Sequence, residues 1–332
     1  MINTILKKDR SVSISFLLWL FRISVVGLLG WMVYNQVLLN KDLSEIIVNF
    51  KKVMRSNNRL WAFIVCSILM VFNWLIESKK WQTLINSIIE FKFQNAIEGV
   101  LMGIAAGIIT PSRIGEYGGR ILNLPTNYRK IGLHANFVSS ISQNLANIFF
   151  GIVGGSYFIL LYLDWSKYIT WSLLVGGITL FSLLMLIFYG HKKLLLILVD
   201  RMPDRITLWA RRIVEGLPAI DNGTLNKILM YSFIRYIVFG IQYALLLYFF
   251  GVNIPIIAII TGISLIFLIQ SGIPLPPFLS MLARGEIAII IWSIFTIDVL
   301  TILSATFSLW LINLLLPAII GGIVMIYKPL IR

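Results

Sequence analysis

The sequence predicts an all-α polytopic membrane protein with about six full transmembrane helices and two opposed, broken helical hairpins that re-enter the membrane. The composition is the first reason: 58% of the 332 residues are hydrophobic and 13% are charged, whereas soluble domains carry roughly 25% charged residues. Mean hydropathy is +0.89. Long apolar stretches recur along the whole chain, and two shorter ones are interrupted by glycine and proline. Residues 1–332 therefore form a single integral membrane domain.

The full spans are predicted wherever an apolar stretch reaches the ~20 residues that cross a bilayer. The first follows the basic residues Lys7, Lys8 and Arg10 and runs to about Leu39. This is longer than the ~7–15-residue apolar core of a cleaved signal peptide, so a retained span is expected. Asp298 is expected to cap or border the last span. The six spans are about 13–38, 59–78, 132–162, 168–190, 225–250 and 299–327.

Two further apolar stretches, 95–110 and 254–272, are short and lead into segments that contain glycine, proline and charged residues. Short, interrupted stretches at corresponding positions of two halves are typical of transport sites built on an inverted repeat. The sequence thus predicts an N-terminal half, 1–190, with its hairpin at about 95–130. A basic cytoplasmic loop, 191–224, and a C-terminal half, 225–332, with its hairpin at about 254–298, follow.

The net charge of +14, from 28 Lys+Arg against 14 Asp+Glu, has two possible meanings. Nucleic-acid binding is one, but the basic residues lie mostly in segments that flank apolar spans, which favours the positive-inside bias of membrane proteins. Lys79 and Lys80 after the second span fit this pattern. Together with the basic N-terminus, the 191–224 loop and the basic C-terminus, they place both termini in the cytoplasm of a prokaryotic inner membrane if each broken hairpin returns to the side from which it entered. The five Lys/Arg residues of 40–59 would face the outside and do not fit this orientation. The pattern of 41–56 predicts an amphipathic helix that lies in the interface, where the positive-inside bias need not apply.

The segment 110–120 carries two arginines and a glutamate beside Pro111 and several glycines. Ionisable groups at membrane depth are costly, so they indicate a functional site. If the segment is helical, Glu116 can pair with Arg113 and Arg120 at i,i+3 and i,i+4 spacing. One carboxylate between two guanidinium groups leaves positive charge for a phosphate, and Gly115 allows backbone N–H groups to approach it. An internal ion-pair brace at the hairpin tip is the alternative.

The second hairpin carries a similar triplet, Arg284-Gly285-Glu286, which forms either the second half of the site or an isolated neutralised pair. A polar stripe on the span after the first hairpin lines a head-group path or bonds to neighbouring helices. The stripe consists of Asn136, Ser140, Gln143, Asn144 and Asn147. Two arginines also fall within predicted spans: Arg235 lies well inside its span, and Arg22 lies nearer the end of the first span.

Thr110-Pro111-Ser112-Arg113-Ile114-Gly115-Glu116, with Arg120 beyond it, resembles the Pro-x-Arg-x-Gly-Glu…Arg signature of the membrane region of lysylphosphatidylglycerol synthases and their stand-alone, flippase-like relatives. Asn73-Trp74 with Glu77 and Trp81, Arg235, and 274–286 fit the same family. The resemblance implies an all-helical fold and the movement of lipids or lipid-linked head groups between leaflets. The soluble aminoacyl-transferase domain is not in this sequence, so lysyl transfer is not expected. Neutral amides stand where relatives often carry charges, at Gln143, Asn144 and Asn147.

Other chemistries have little support in the sequence. His134 and His191 are far apart and lack partners at metal-ligand spacing, so neither a metal nor another cofactor is expected. No P-loop or nucleophile motif is present, which disfavours an enzyme, and Cys66 reads as a buried apolar side chain. The remaining functions are a translocase for anionic lipid head groups, a non-transporting accessory subunit, and a lipid-modifying enzyme. The predicted binding residues are Arg113, Gly115, Glu116, Arg120, Gln143, Asn144, Asn147, Arg235, Arg284 and Glu286.

Overall fold

The fold is all-helical over the part of the chain that the computed structural model describes, in agreement with the sequence. The first predicted span, including Arg22, lies outside these residues, as does most of the predicted interfacial helix, of which 48 and 51–54 are helical. The described residues are 48, 51–54, 58–110, 113–163, 165–201, 211, 220–272, 277–295 and 297–327.

Five elements are long and apolar enough to cross a membrane, and they coincide with five of the predicted spans. The last of them contains a π-helical turn, Leu311–Leu315, where an uninterrupted span was predicted. Pro317 follows this turn and cannot donate a backbone hydrogen bond to the carbonyl four residues earlier. The five elements are α1 (Leu60–Asn86), α4 (Arg129–Tyr162), α5 (Lys167–Tyr189), α7 (Asn222–Phe249) and the pair α10 (Val299–Trp310) with α11 (Leu316–Tyr327).

Two pairs of shorter helices occupy the positions of the predicted hairpins. The first pair is α2 (Phe93–Ile108) with α3 (Ile114–Ile121), and the second is α8 (Ile256–Gly272) with α9 (Pro277–Trp292). The members of each pair pack against each other. Helices of this length rise at most about 26 Å, less than the ~30 Å hydrocarbon core of a bilayer. Their re-entry from opposite membrane faces stays a prediction.

The segment predicted as a basic loop, 191–224, begins instead with a helix, α6 (His191–Val199). Its leucine-rich sequence allows this, since leucine is among the strongest helix formers. Single 3₁₀ turns stand before α4 (Thr126–Tyr128) and after α9 (Ser293–Phe295). Asp298 caps α10 by accepting a hydrogen bond from the Thr301 backbone N–H at 3.1 Å, which confirms its predicted capping role.

Two hydrophobic cores form at opposite ends of the long helices. The first joins the C-terminal end of α1 to α2 and the N-terminal ends of α4 and α7, with Trp81, Val100 and Leu225 buried. The second joins the N-terminal end of α1 to the C-terminal ends of α4 and α7 and to α8 and α9. Cys66 and Leu246 lie in this second core, which confirms the predicted burial of the cysteine. Between the two cores α1 carries buried polar residues, among them Asn73 and Glu77.

Helix α5 is almost entirely exposed. In its most apolar stretch of 18 residues, 6% of the stretch is buried inside the protein, against 28% to 44% in the other four spanning elements. Trp171, Val175 and Leu186 are all exposed on it. Contiguous apolar surface of this extent is found on proteins embedded in lipid or bound to a partner. Together with the five spanning elements, it identifies a multi-pass membrane protein.

Candidate functional site

The turn between α2 and α3 holds Arg113 in an uncommon backbone conformation. Arg113 has φ 58° and ψ 27° and is the only non-glycine residue with positive φ among the described residues. The Thr110 hydroxyl stabilises the turn, since it donates to the Ala106 carbonyl at 3.1 Å and accepts from the Gly115 backbone N–H at 2.7 Å. A left-handed non-glycine residue costs of order 1–3 kcal/mol and persists where its surroundings enforce it, often at a binding site.

Close packing of α2 against α3 depends on glycine. A Cβ on Gly115 would lie 2.2 Å from the Ala106 carbonyl oxygen, and a Cβ on Gly119 would lie 2.4 Å from the Met102 carbonyl oxygen. On α2, a Cβ at Gly103 would lie 2.7 Å from Arg120 Cγ. Gly115, predicted as a binding residue, is thus required to bring the two backbones into contact. The contact directs the charged face of α3 toward α1.

The predicted ion pairs within the first hairpin are confirmed. Arg113 Nη2 lies 2.9 Å from Glu116 Oε2, and Arg120 Nη2 lies 2.5 Å from Glu116 Oε1. Arg113 stands at the N-cap, one residue before the helix, so its contact with Glu116 spans the helix start. The side chain of Arg113 is 43% exposed, whereas that of Arg120 is 3% exposed. The hairpin therefore presents one accessible guanidinium and buries the other.

Glu77 of α1 joins the first hairpin to two spanning helices. Its carboxylate pairs with three cations: Arg120 Nη2 at 2.6 Å, Lys80 Nζ at 3.2 Å, and Arg235 Nη1 of α7. The side chain of Glu77 is 6% exposed and that of Lys80 is 1% exposed. We call Glu77, Lys80, Arg113, Glu116, Arg120 and Arg235 the charge cluster.

Neutral polar side chains complete the surroundings of Arg235. Its Nε donates to Asn73 Oδ1 at 2.9 Å and its Nη1 donates to Gln143 Oε1 at 3.3 Å. Gln143 in turn donates to the Ser232 carbonyl at 3.4 Å. Asn73 donates to Asn313 Oδ1 at 3.3 Å, which connects the cluster to the π-helical turn. Such turns frequently occur at functional sites.

The charge cluster has a net positive charge and lies deep in the protein. Its four cations and two carboxylates sum to 4 − 2 = +2. Arg235 stands midway along the 28-residue α7, about 20 Å from either end of that helix. Charges at such a depth are found facing the bundle interior and mark substrate or ion pathways by default.

The structure brings together six of the ten predicted binding residues: Arg113, Gly115, Glu116, Arg120, Gln143 and Arg235. Asn144 is exposed and Asn147 is half-buried, and neither makes a side-chain hydrogen bond to a described residue.

In the second hairpin, Arg284 is half-buried and Glu286 is exposed. Neither forms an ion pair with a described residue.

Glu77 and Lys80 are site residues that were not among the predicted binding residues. Lys80 was assigned to a cytoplasmic flank, but α1 continues to Asn86 and buries Lys80, whereas Lys79 is exposed. Glu77 itself could have indicated this part of the site, because a carboxylate inside an apolar span requires a buried partner. Asn313 carried no comparable signal. Among the described residues no group of three or more His, Cys, Asp or Glu side chains could hold a metal ion.

The fold and the site define a polytopic helical membrane protein with a buried, net positive charge cluster between two hydrophobic cores. Residues 12–321 match the family described as the lysylphosphatidylglycerol synthase TM region, so the chain belongs to that family. No curated protein and no solved structure matches the chain significantly.

Proposed function

We propose that the protein moves an anionic lipid, or a lipid-linked carrier such as an isoprenyl phosphate, across the cytoplasmic membrane of a prokaryote. Both termini would lie in the cytoplasm. One observation carries the proposal: a charge cluster with two more cations than carboxylates is built midway along α7 from a short hairpin and two spanning helices. Membership of a family named for a lipid synthase supports a role with lipids.

Arg113 is the proposed first contact with the head group. Its side chain is the most exposed of those in the ion pairs of the cluster, and its buried Nε donates to no described residue. Arg120 likewise has two buried donors, Nε and Nη1, without partners among the described residues. Guanidinium groups bind phosphate oxygens bidentately. A phosphate that entered at Arg113 would compete with Glu116 and gain these unused donors.

Arg284 and Glu286 would contribute from the second hairpin, and Asn144 and Asn147 from the helix that carries Gln143. An anion bound between Arg113 and Arg284 would attract both guanidinium groups. Binding would therefore draw the hairpins together, and release would separate them. A ligand shifts a conformational equilibrium only through such a difference in affinity. The acyl or isoprenyl tails would remain in lipid throughout.

The test is translocation in liposomes that contain the purified protein. Fluorescent phospholipids and, separately, an isoprenyl phosphate are followed from the inner to the outer leaflet. We expect Arg113→Ala to lower the rate at least about tenfold, because an uncompensated loss of a phosphate contact of 1.4 kcal/mol gives that factor. Arg113→Lys should recover part of the rate, since lysine keeps the charge and loses the bidentate geometry.

Arg59→Ala is the matched control. Arg59 is partly exposed, belongs to the opposite end of α1 and donates to the Tyr248 carbonyl at 3.0 Å, away from the charge cluster. It should transport like the wild type. If no lipid moves faster than in empty liposomes, the protein is no translocase by itself, and stable co-purification with an envelope lipid enzyme would favour the accessory-subunit function. Unfolding of Arg113→Ala would favour a brace.

A further inference from the structure

The charge balance of the cluster restricts the kind of head group that it can neutralise. Its ion pairs leave an excess of two positive charges. Arg113 is 43% exposed, but the other three cations are largely buried, and charge that water cannot reach is costly unless it is paired. A ligand that balances the cluster must therefore bring about two negative charges.

Lys80 is a charged member of this count. Its Nζ has acceptors in three directions: Glu77 Oε2 at 3.2 Å, the Ser139 carbonyl at 3.3 Å and Ser232 Oγ at 3.3 Å. An ammonium has three donors and no acceptor. The Ser232 hydroxyl donates to the Ile228 carbonyl, so toward Lys80 it acts as an acceptor. The surroundings of Lys80 fit the protonated amine.

Phosphate lipids differ in the charge of their head group. In a phosphodiester, which is the linkage found in most glycerophospholipids, the phosphate carries one negative charge. A phosphomonoester has a second ionisable oxygen with a pKa of about 6 and carries about −1.5 to −2 at pH 7. It also presents three terminal oxygens instead of two. The third oxygen is one more acceptor for guanidinium donors such as those of Arg113.

We infer that the head group bound by the charge cluster ends in a phosphomonoester, as in an isoprenyl phosphate or phosphatidic acid, rather than a phosphodiester. The inference rests on the proposed function and names the substrate class of the same site. Because the preference follows from the charge count, it depends on residues that never touch the lipid. Lys80 is such a residue, since it is buried, pairs with Glu77 and contributes one positive charge to the cluster.

The test compares phosphatidic acid with phosphatidylmethanol, its methyl ester, which has the same tails and one charge fewer. Binding of each lipid to the purified protein in neutral-lipid nanodiscs at pH 7.5 is measured for five proteins: wild type, Arg113→Ala, Lys80→Met, Glu116→Gln and Lys79→Met. Lys80→Met lowers the net charge to +1 and Glu116→Gln raises it to +3. Lys79→Met is the matched control, because Lys79 is exposed and bonds to Gln82 outside the cluster.

We expect the wild type and Lys79→Met to bind phosphatidic acid at least about tenfold more tightly than its methyl ester. Lys80→Met should reduce this ratio severalfold and Glu116→Gln should increase it. Equal affinity of the wild type for both lipids, or an unchanged ratio in both cluster variants, overturns the inference and leaves a phosphodiester translocase intact. If neither lipid binds in a manner that depends on Arg113, the proposed function fails as well. Should Lys80→Met not fold, Glu116→Gln alone decides.

Discussion

Replacing Glu77 by glutamine tests whether the ion pairs of the cluster hold the hairpin and the spanning helices together. The substitution keeps the shape of the side chain and removes the carboxylate that Lys80, Arg120 and Arg235 share. The net charge of the cluster would rise from +2 to +3, with Glu116 as its only remaining carboxylate. All of the affected atoms are buried or nearly so, and water can compensate little of the loss.

The magnitude follows from the burial. Removal of one partner from a buried ion pair costs about 3–5 kcal/mol because it leaves a buried charge without compensation. Glutamine retains one acceptor oxygen for Arg120 or Arg235, so the lower end, about 3 kcal/mol, is expected. Exposed glutamates serve as the comparison. Glu90 is exposed, and Glu90→Gln should change the free energy of unfolding by less than about 0.5 kcal/mol.

The assay is SDS-driven unfolding of the purified protein in mixed micelles, which gives a free energy of unfolding for each variant. The double variant Glu77→Gln/Lys80→Met removes one uncompensated cation and should recover at least about 1 kcal/mol relative to Glu77→Gln. The reasoning is refuted if Glu77→Gln unfolds like Glu90→Gln, or if removal of Lys80 destabilises both backgrounds equally. The first result would mean that the three ion pairs do not stabilise the fold, and the second that the Glu77–Lys80 pair contributes no coupling energy.

Three further predictions concern the hairpin, the π-helical turn and a helix cap. Gly115→Ala should destabilise the protein by at least about 2 kcal/mol, because its Cβ would lie 2.2 Å from a backbone oxygen, whereas Gly118→Ala, which meets no atom within 4 Å, should be neutral or slightly stabilising in the same unfolding assay. Asn313→Leu removes the side-chain oxygen that accepts a hydrogen bond from Asn73. It should lower the free energy of unfolding by about 1–3 kcal/mol, and Asn313→Gln should lower it less. Side-chain and backbone hydrogen bonds from Thr224 lower the pKa of Asp221 below its ordinary value of 3.8. The cap is therefore fully formed above pH 3.8 and is lost as the pH falls through the lowered pKa, so amide exchange at the start of α7 should accelerate in acid and lose this dependence in Asp221→Asn.

The first hairpin shows which structural features can be predicted from residues close together in the sequence. The pairs of Glu116 with Arg113 and Arg120 were predictable because residues three and four apart are neighbours wherever the chain turns helically. The spans were predictable because a bilayer sets a minimum apolar length. The cap at Asp298 follows from the same local logic. None of these predictions needed contacts between distant parts of the chain.

Only the tertiary structure selects Glu77 as the centre of the site. Its partner Arg235 is 158 residues away along the chain, and no local spacing relates the two. Lys80 has the same sequence context as Lys79, yet one is buried and the other is exposed. Their positions on α1 decide this, because successive residues on a helix point about 100° apart and only one of the two faces the bundle. The sequence therefore determined the helices, the local ion pairs and the excess of positive charge. The packing of α1, α3 and α7 determined which charges meet, since a carboxylate in a low-dielectric interior is stable only where cations from other helices surround it.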